Sequence, residues 1–379
     1  MDDMIVTVDP SGALLCIFVA ILLYNAQREQ HYLTRSAVVR PGSSPWSHLW
    51  HHGDEKSFLN LTGMSRTAFI KLKGIIFPEI DRPRMGRRPL LDENGQLGLL
   101  LFYMGSTMRT KHLCLIFGVV PSTANAVINR LILVVISRLK RHESAKIKWP
   151  SEEEKVKWAQ LVNNREPSVN LVIGFVDGLA IHVQCSANEN DQSEAYNGDS
   201  KDTMTNNVLL FSPEGKIFYA ALSYPGSWHD SQVAAHLASK AISSLGEYQI
   251  CVDQGFPRSG DLYGKFVGPL SNSTKRKLAA LNKDYIIAEH EIFVSLRQAS
   301  EWGMRALQGT FSRLKSRLTS DKVKRRNIIL CIVLLHNYRT HEVGFNQIAT
   351  VFNLEYEQLL LTLTTTIESP DTSKFSCHE

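Results

Sequence analysis

Apolar residues recur at two different spacings along this chain. Up to about residue 167 they return every three or four positions, the spacing of a helix face, and beyond residue 168 they gather into short runs of strand length. In the first part, "ALLCIFVAILLY" (13–24) and "MSRTAFIKLKGIIFP" (64–78) are predicted helices, separated by the loop "PGSSPW" (41–46). The Pro- and Arg-rich "PEIDRPRMGRRP" (78–89) reads as a linker. Residues 92–140 give a helix, a short helix, a turn and a long helix. Here "HLCLIFGVVPSTANAVINRL" has the layout of a helix-turn-helix, the first helix ending at Gly118 and Ser122 or Thr123 capping the second. A helical bundle that touches no DNA explains the segment equally well. After Asn129 the long helix is mostly apolar, so Ser122, Thr123, Asn125 and Asn129 are the positions able to reach bases.

A charged helix and a loop (148–167) precede the strand-like runs 169–177, 180–184, 207–212, 216–224 and 248–253. "SPEG" (212–215) joins two of them as a hairpin. A helix is predicted over 231–245, and a long one from near Leu296 follows a polar stretch. Strand, strand, hairpin strand, helix, strand, helix is the order of a mixed α/β sheet and fits a ribonuclease-H-like fold behind an all-helical N-terminal region. The expected divisions are 1–89 (helical region and linker), 90–150 (helix-turn-helix-like domain), 168–340 (ribonuclease-H-like domain) and 341–379 (a short helix and frayed tail).

Composition narrows the function classes. With 379 residues, 44% of them hydrophobic, the chain can bury a large core. Six cysteines form no CxxC pair and no zinc-like spacing, and read as reduced thiols inside an intracellular protein. The 12 apolar residues of 13–24 fall short of the roughly 20 a spanning helix needs, and the residues before them are acidic, unlike a secretory leader. They are expected to form a buried helix, with no membrane partner. The net charge of +5 is clustered in "RPRMGRRP", "RLKRH" and "KVKRR", which permits polyanion binding, although each run taken alone reads first as a solvated face.

Asp177 interrupts the apolar run "NLVIGFVDGLAIHVQ" (170–184), and burying an unpaired carboxylate costs several kcal/mol. "QICVD" closes the same way on Asp253. Ends of strands are where α/β sheets hold their sites. A third acid, Glu301, lies on the last helix about 60° from Met304 at 100° per residue, bordering the stripe Met304, Leu307, Phe311, Leu314 and Leu318. Three such carboxylates repel unless neutralised, and a pair of divalent cations would neutralise them and drive phosphoryl transfer. Hard oxygen ligands favour Mg²⁺, with Mn²⁺ as its substitute. Taken singly, each Asp is also a turn or cap residue. In "YPGSWHDSQVAAHL" (224–237), Asp230 is either a further metal ligand or the cap of the next helix. Arg297, Arg305, Arg313, Lys315 and Arg317 surround Glu301 and are candidate contacts to DNA phosphates. Trp228 and Trp302 would stack on a base or pack in the core.

In order, "VDG" at Asp177, "PGSWHDS" at Asp230, "VDQGFP" at Asp253 and "RQASEWGMRALQGTFSRLK" around Glu301 resemble the PIF/Harbinger transposases and their domesticated relatives. Asp253 and Glu301 are separated by 47 residues, similar to some members, and the resemblance spans about residues 90–340. It implies a DDE endonuclease with Asp177, Asp253 and Glu301 as the Mg²⁺-binding triad, cleaving element ends and joining them to target DNA through a 3′-hydroxyl. It also implies a nuclear location beside any cytoplasmic fraction, a Myb-like partner protein and, by analogy, a homo-oligomer. Phe256 stands where many relatives carry Tyr near the second Asp. A domesticated, catalytically silent DNA- or chromatin-associated protein is the competing expectation.

Overall fold

Residues Val172–His182 form one uninterrupted strand, β1, on which the rest of the sheet is built. The computed structural model describes residues 10–31, 33–78, 89–270, 276–277, 284–344 and 346–352. Most of the expected linker and most of the expected C-terminal tail lie outside them. β1 is flanked on one side by the antiparallel β3 (Asp202–Phe211) and on the other by the parallel β5 (Gln249–Cys251), which in turn pairs with β6 (Phe266–Val267). β4 (Ile217–Pro225) and the two-residue β2 (Tyr196–Asn197) share the outer edge of β3. The order β4-β3-β1-β5-β6, three antiparallel strands followed by two parallel to the first, is the expected ribonuclease-H-like mixed sheet.

Helices cover both faces. On one face α8 (Glu152–Arg165) and α11 (Ala235–Ser244) supply Trp158, Leu237 and Ala241 to a cluster with Ile173, Val176, Val208 and Ile250. On the other lie α12 (Asp284–Thr310) and α13 (Lys322–Val343), and the N-terminal helices join the same core. That core runs without interruption from Trp46 to Phe352. Helix α7 (Pro121–Leu139) is long and apolar enough to cross a membrane, but Ala124, Ile128, Leu131, Ile132, Val135 and Leu139 are buried. It packs against α13, α5 (Glu93–Gly105) and α6 (Thr110–Phe117), as a core helix does.

Several local expectations are corrected. β1 runs straight through Asp177 and Gly178, which stay in register with Leu209 and Val208, so Asp177 lies inside a strand and not at its end. The turn after α6 does use Gly118, in the left-handed region at φ 67°, but α7 begins at Pro121 with Val120 as its cap. Pro121 needs no N–H partner at that position, which makes a Ser or Thr cap dispensable. The 13–24 run lies in helix α1 (Pro10–His31), yet Leu14, Leu15, Ile17, Phe18, Leu22 and Leu23 are exposed. Apolar residues occur all around this helix, whereas burial by one packing face needs them on one side. The helix carrying Glu301 starts before Leu296 and stops at Thr310, so Phe311, Leu314 and Leu318 leave it while remaining buried, and it is not the last helix, since α13 follows. Beyond the break Leu318 pairs with the end of β1, its N–H donating to the His182 carbonyl (2.9 Å) and its own carbonyl accepting from Gln184 N–H (2.7 Å). Backbone pairing along the sheet replaces the helical bonds that end there.

Candidate active site

Side chains alternate along β1, so Asp177 shares its face with Phe175 and Leu179, the face covered by α12. Gly178 faces the opposite way, and a Cβ there would come within 2.7 Å of both carboxylate oxygens of Asp230. Only a residue without a side chain lets Asp230 approach the strand so closely. Asp230 is the first residue of the short helix α10 (Asp230–Val233), and the cap is His229, whose backbone N–H donates to Gln232 Oε1 at 3.0 Å. The cap role weighed for Asp230 therefore belongs to its neighbour, and the Asp230 carboxylate is left to face β1.

The loop carrying Asp230 is held from β3. Asn206 Nδ2 donates to the Trp228 carbonyl (2.6 Å), and Asn207 accepts from Ser223 N–H (2.7 Å) while donating to Leu179 O (2.9 Å). Ser223 has φ 65°, a left-handed conformation that a serine adopts only when it is held there. Arg325 Nε reaches its hydroxyl at 3.1 Å. Sequence reading passed over these two asparagines. The signal was an amide pair directly before the apolar run Val208–Phe211 of the same strand.

Asp253 lies two residues beyond β5, in the crevice outside the carboxyl end of a parallel strand. Glu301 projects from α12, and Arg297, one helical turn before it, connects the two acids. Its Nη2 donates to Glu301 Oε1 at 2.5 Å, and its Nε lies 3.8 Å from Asp253 Oδ1. Arg297 is also the cation whose charge acts on Asp177. Thus Asp253 and Glu301 share one guanidinium, whose charge also reaches Asp177, and Asp230 stands within electrostatic reach of Asp177 and Asp253.

The acids are poorly compensated. Burial pushes the Asp177 carboxyl up to about 6; the Gly178 N–H (2.9 Å) and Arg297 oppose the rise, while Asp253 and Asp230 add to it. Asp230 is raised too, by burial first and then by Asp253. Excess negative charge on hard oxygen atoms is what a divalent cation neutralises, so the donor chemistry fits Mg²⁺ or Mn²⁺. Among the described residues no three His, Cys, Asp or Glu side chains stand close enough together to grip an ion as they are placed. Arg297 holds two of the acids instead.

Residues 176–337, about two-fifths of the chain, match the family model described as DDE superfamily endonuclease. This is a DDE endonuclease-like segment. It opens one residue before Asp177, closes at Asn337 on α13, and contains all four acids. Comparison with curated proteins and with solved structures gives no match. Nucleases of the DDE type generally use divalent metals, in keeping with the donor set just described.

The basic residues expected on DNA are dispersed around the DDE segment. Arg305, Lys315 and Arg317 are exposed. Arg317 makes a two-pronged pair with Asp202 (2.9 and 2.7 Å), which holds that carboxyl down at about 2. Arg313 is buried: it donates to the Tyr103 and Met108 carbonyls, both at 2.8 Å, and lies over the Tyr103 ring. Ser122, Asn125 and Asn129 of the helix-turn-helix-like segment are exposed. Trp228 is partly exposed beside Tyr224, and Trp302 packs against the core under Arg165.

Proposed function

We propose that this protein is a metal-dependent DNA endonuclease of the PIF/Harbinger transposase type, cleaving element ends and joining them to target DNA. The observation that carries the reading is the pairing of Asp253 and Glu301 with one guanidinium, whose charge also reaches Asp177, inside the segment that matches the DDE endonuclease family. These three acids are the proposed metal ligands, with Asp230 beside them as a fourth candidate. Mg²⁺ held there would activate the attacking oxygen and steady the leaving one in an in-line displacement. The chain's own contribution is to hold the carboxylates on a rigid strand, a strand end and a helix, and to bring DNA to them through Arg305, Lys315 and Arg317. A nuclear location, a homo-oligomer that joins two element ends and a Myb-like partner for end recognition belong to the same proposal.

Nicking of supercoiled DNA with Mg²⁺ or Mn²⁺ tests it, comparing the wild type with Asp177→Asn, Asp253→Asn and Glu301→Gln, and checking each fold by circular dichroism. Each variant is expected to remain folded and to lose at least about a hundredfold in rate. Wild-type rates in all three would remove the assignment. The competing reading, a silent DNA- or chromatin-associated descendant, draws on the engagement of Asp253 and Glu301 by Arg297. It prevails if the wild type fails to nick with both metals and a Myb-like partner supplied while still binding DNA.

A further inference from the structure

Arg297 occupies an unusual position for a residue expected to contact DNA. It projects from the same helix as Glu301, four residues earlier, and its two ends point to different acids: Nη2 to Glu301 and Nε to Asp253. Asp177 feels its charge as well. One positive charge thus pairs with two carboxylates beside a third and leaves them with excess negative charge. These pairs are also accessible to water, with Arg297 29% exposed and Asp253 and Glu301 each 42% exposed. Ion pairs at that exposure are weak and exchange partners at little cost. A DNA phosphate offers the guanidinium a two-pronged acceptor at least as good as either carboxylate.

Building on the proposed nuclease function, we infer that Arg297 is an internal counter-cation that holds Asp253 and Glu301 until DNA draws it away, so that metal loading follows DNA binding. The guanidinium and the metal compete for the same oxygen atoms, and DNA relieves the competition by accepting the guanidinium. Because coupling between two ligands is reciprocal, bound metal also tightens DNA. Free enzyme is then kept from loading metal away from its substrate. A purely structural Arg297, one that positions Glu301 on its helix, has the opposite signature: removing it loosens the acids and weakens metal binding.

Mn²⁺ titrations followed by electron paramagnetic resonance separate these cases, using wild type, Arg297→Gln and Arg297→Lys, each with and without a short DNA duplex of arbitrary sequence. Without DNA, Arg297→Gln is expected to bind Mn²⁺ at least about fivefold more tightly than wild type, with Arg297→Lys between them. Adding the duplex is expected to tighten Mn²⁺ binding by the wild type and to have little further effect on Arg297→Gln. Unchanged or weaker Mn²⁺ binding by Arg297→Gln overturns the inference, as does equal tightening by DNA in wild type and variant. An Asp177→Asn, Asp253→Asn double variant keeps the two levels distinct. If Mn²⁺ binding survives in it, or is missing from wild type and Arg297→Gln alike, the nuclease reading itself fails. If binding needs the acids but ignores Arg297, only the counter-cation role is lost.

Discussion

Asp177 costs the metal-free protein stability, and its titration shows how. A carboxyl raised from 3.8 to about 6 on folding contributes stability that is fully present below 3.8 and lost as the pH rises through 6. In metal-free protein Asp177→Asn is therefore expected to stabilise at pH 8 by about 1–2 kcal/mol, a figure discounted for its partial exposure. The gain should shrink to nothing near pH 4, and urea denaturation at the two pH values checks it. Loss of stability at pH 8 would mean that the ionised carboxylate is already compensated. His336 behaves in the opposite sense. Its Nε2 donates to the Gly215 carbonyl at 3.1 Å, its Nδ1 has no partner among the described residues, and burial pushes its pKa down to about 4. The unfolded chain thus binds the proton more readily between pH 6.5 and 4, and stability is lost as the pH falls through that window. Relative to His336→Gln, the wild type should lose about 3 kcal/mol across it, measurable by the same method.

At the scale of elements, Gly303 sets how closely the Glu301 helix approaches the sheet. A Cβ there would meet the Phe211 ring at 2.8 Å. Ala is the better helix former by about 1 kcal/mol, but pushing a helix off a packed ring costs about 1–3 kcal/mol. The second effect wins, so Gly303→Ala is expected to lower the melting temperature and move Glu301 away from β1. A higher melting temperature would show that Phe211 yields instead. The same scale explains what could be read in advance. The strand order, the hairpin at 212–215 and the acids on β1, after β5 and on α12 follow from apolar runs and turn residues, which act locally. The single strand through Asp177, the helix end at Thr310 and the cap at His229 were missed. The first two depend on distant partners, β3 alongside Gly178 and the end of β1 beside Leu318, while the cap turns on the local Gln232 together with the close approach of Asp230 to Gly178. Arg297 read as a phosphate contact because its pairing with Asp253 crosses 44 residues of chain that no periodicity connects. The pairing became visible only when α12 was laid against the sheet.

For the whole molecule, the continuous core means that the helical half completes the nuclease half. α7 packs on α13, and Arg313 reaches from beyond the Glu301 helix to the carbonyls at the end of α5. Arg313→Ala would leave those partly buried carbonyls without their charged donor, at a cost of about 1–3 kcal/mol, and urea denaturation measures it. Little or no loss would show that other donors replace the guanidinium. The Tyr338 hydroxyl likewise donates to the Ala68 carbonyl at 2.8 Å, tying α13 to the N-terminal helix Arg66–Ile76. Cutting the chain between these parts would bare the apolar faces that now meet, including Leu131, Ile332 and Leu335. The nuclease half is therefore not a portable cassette: anyone grafting it onto a foreign targeting module must carry Trp46 to Phe352 across as one piece.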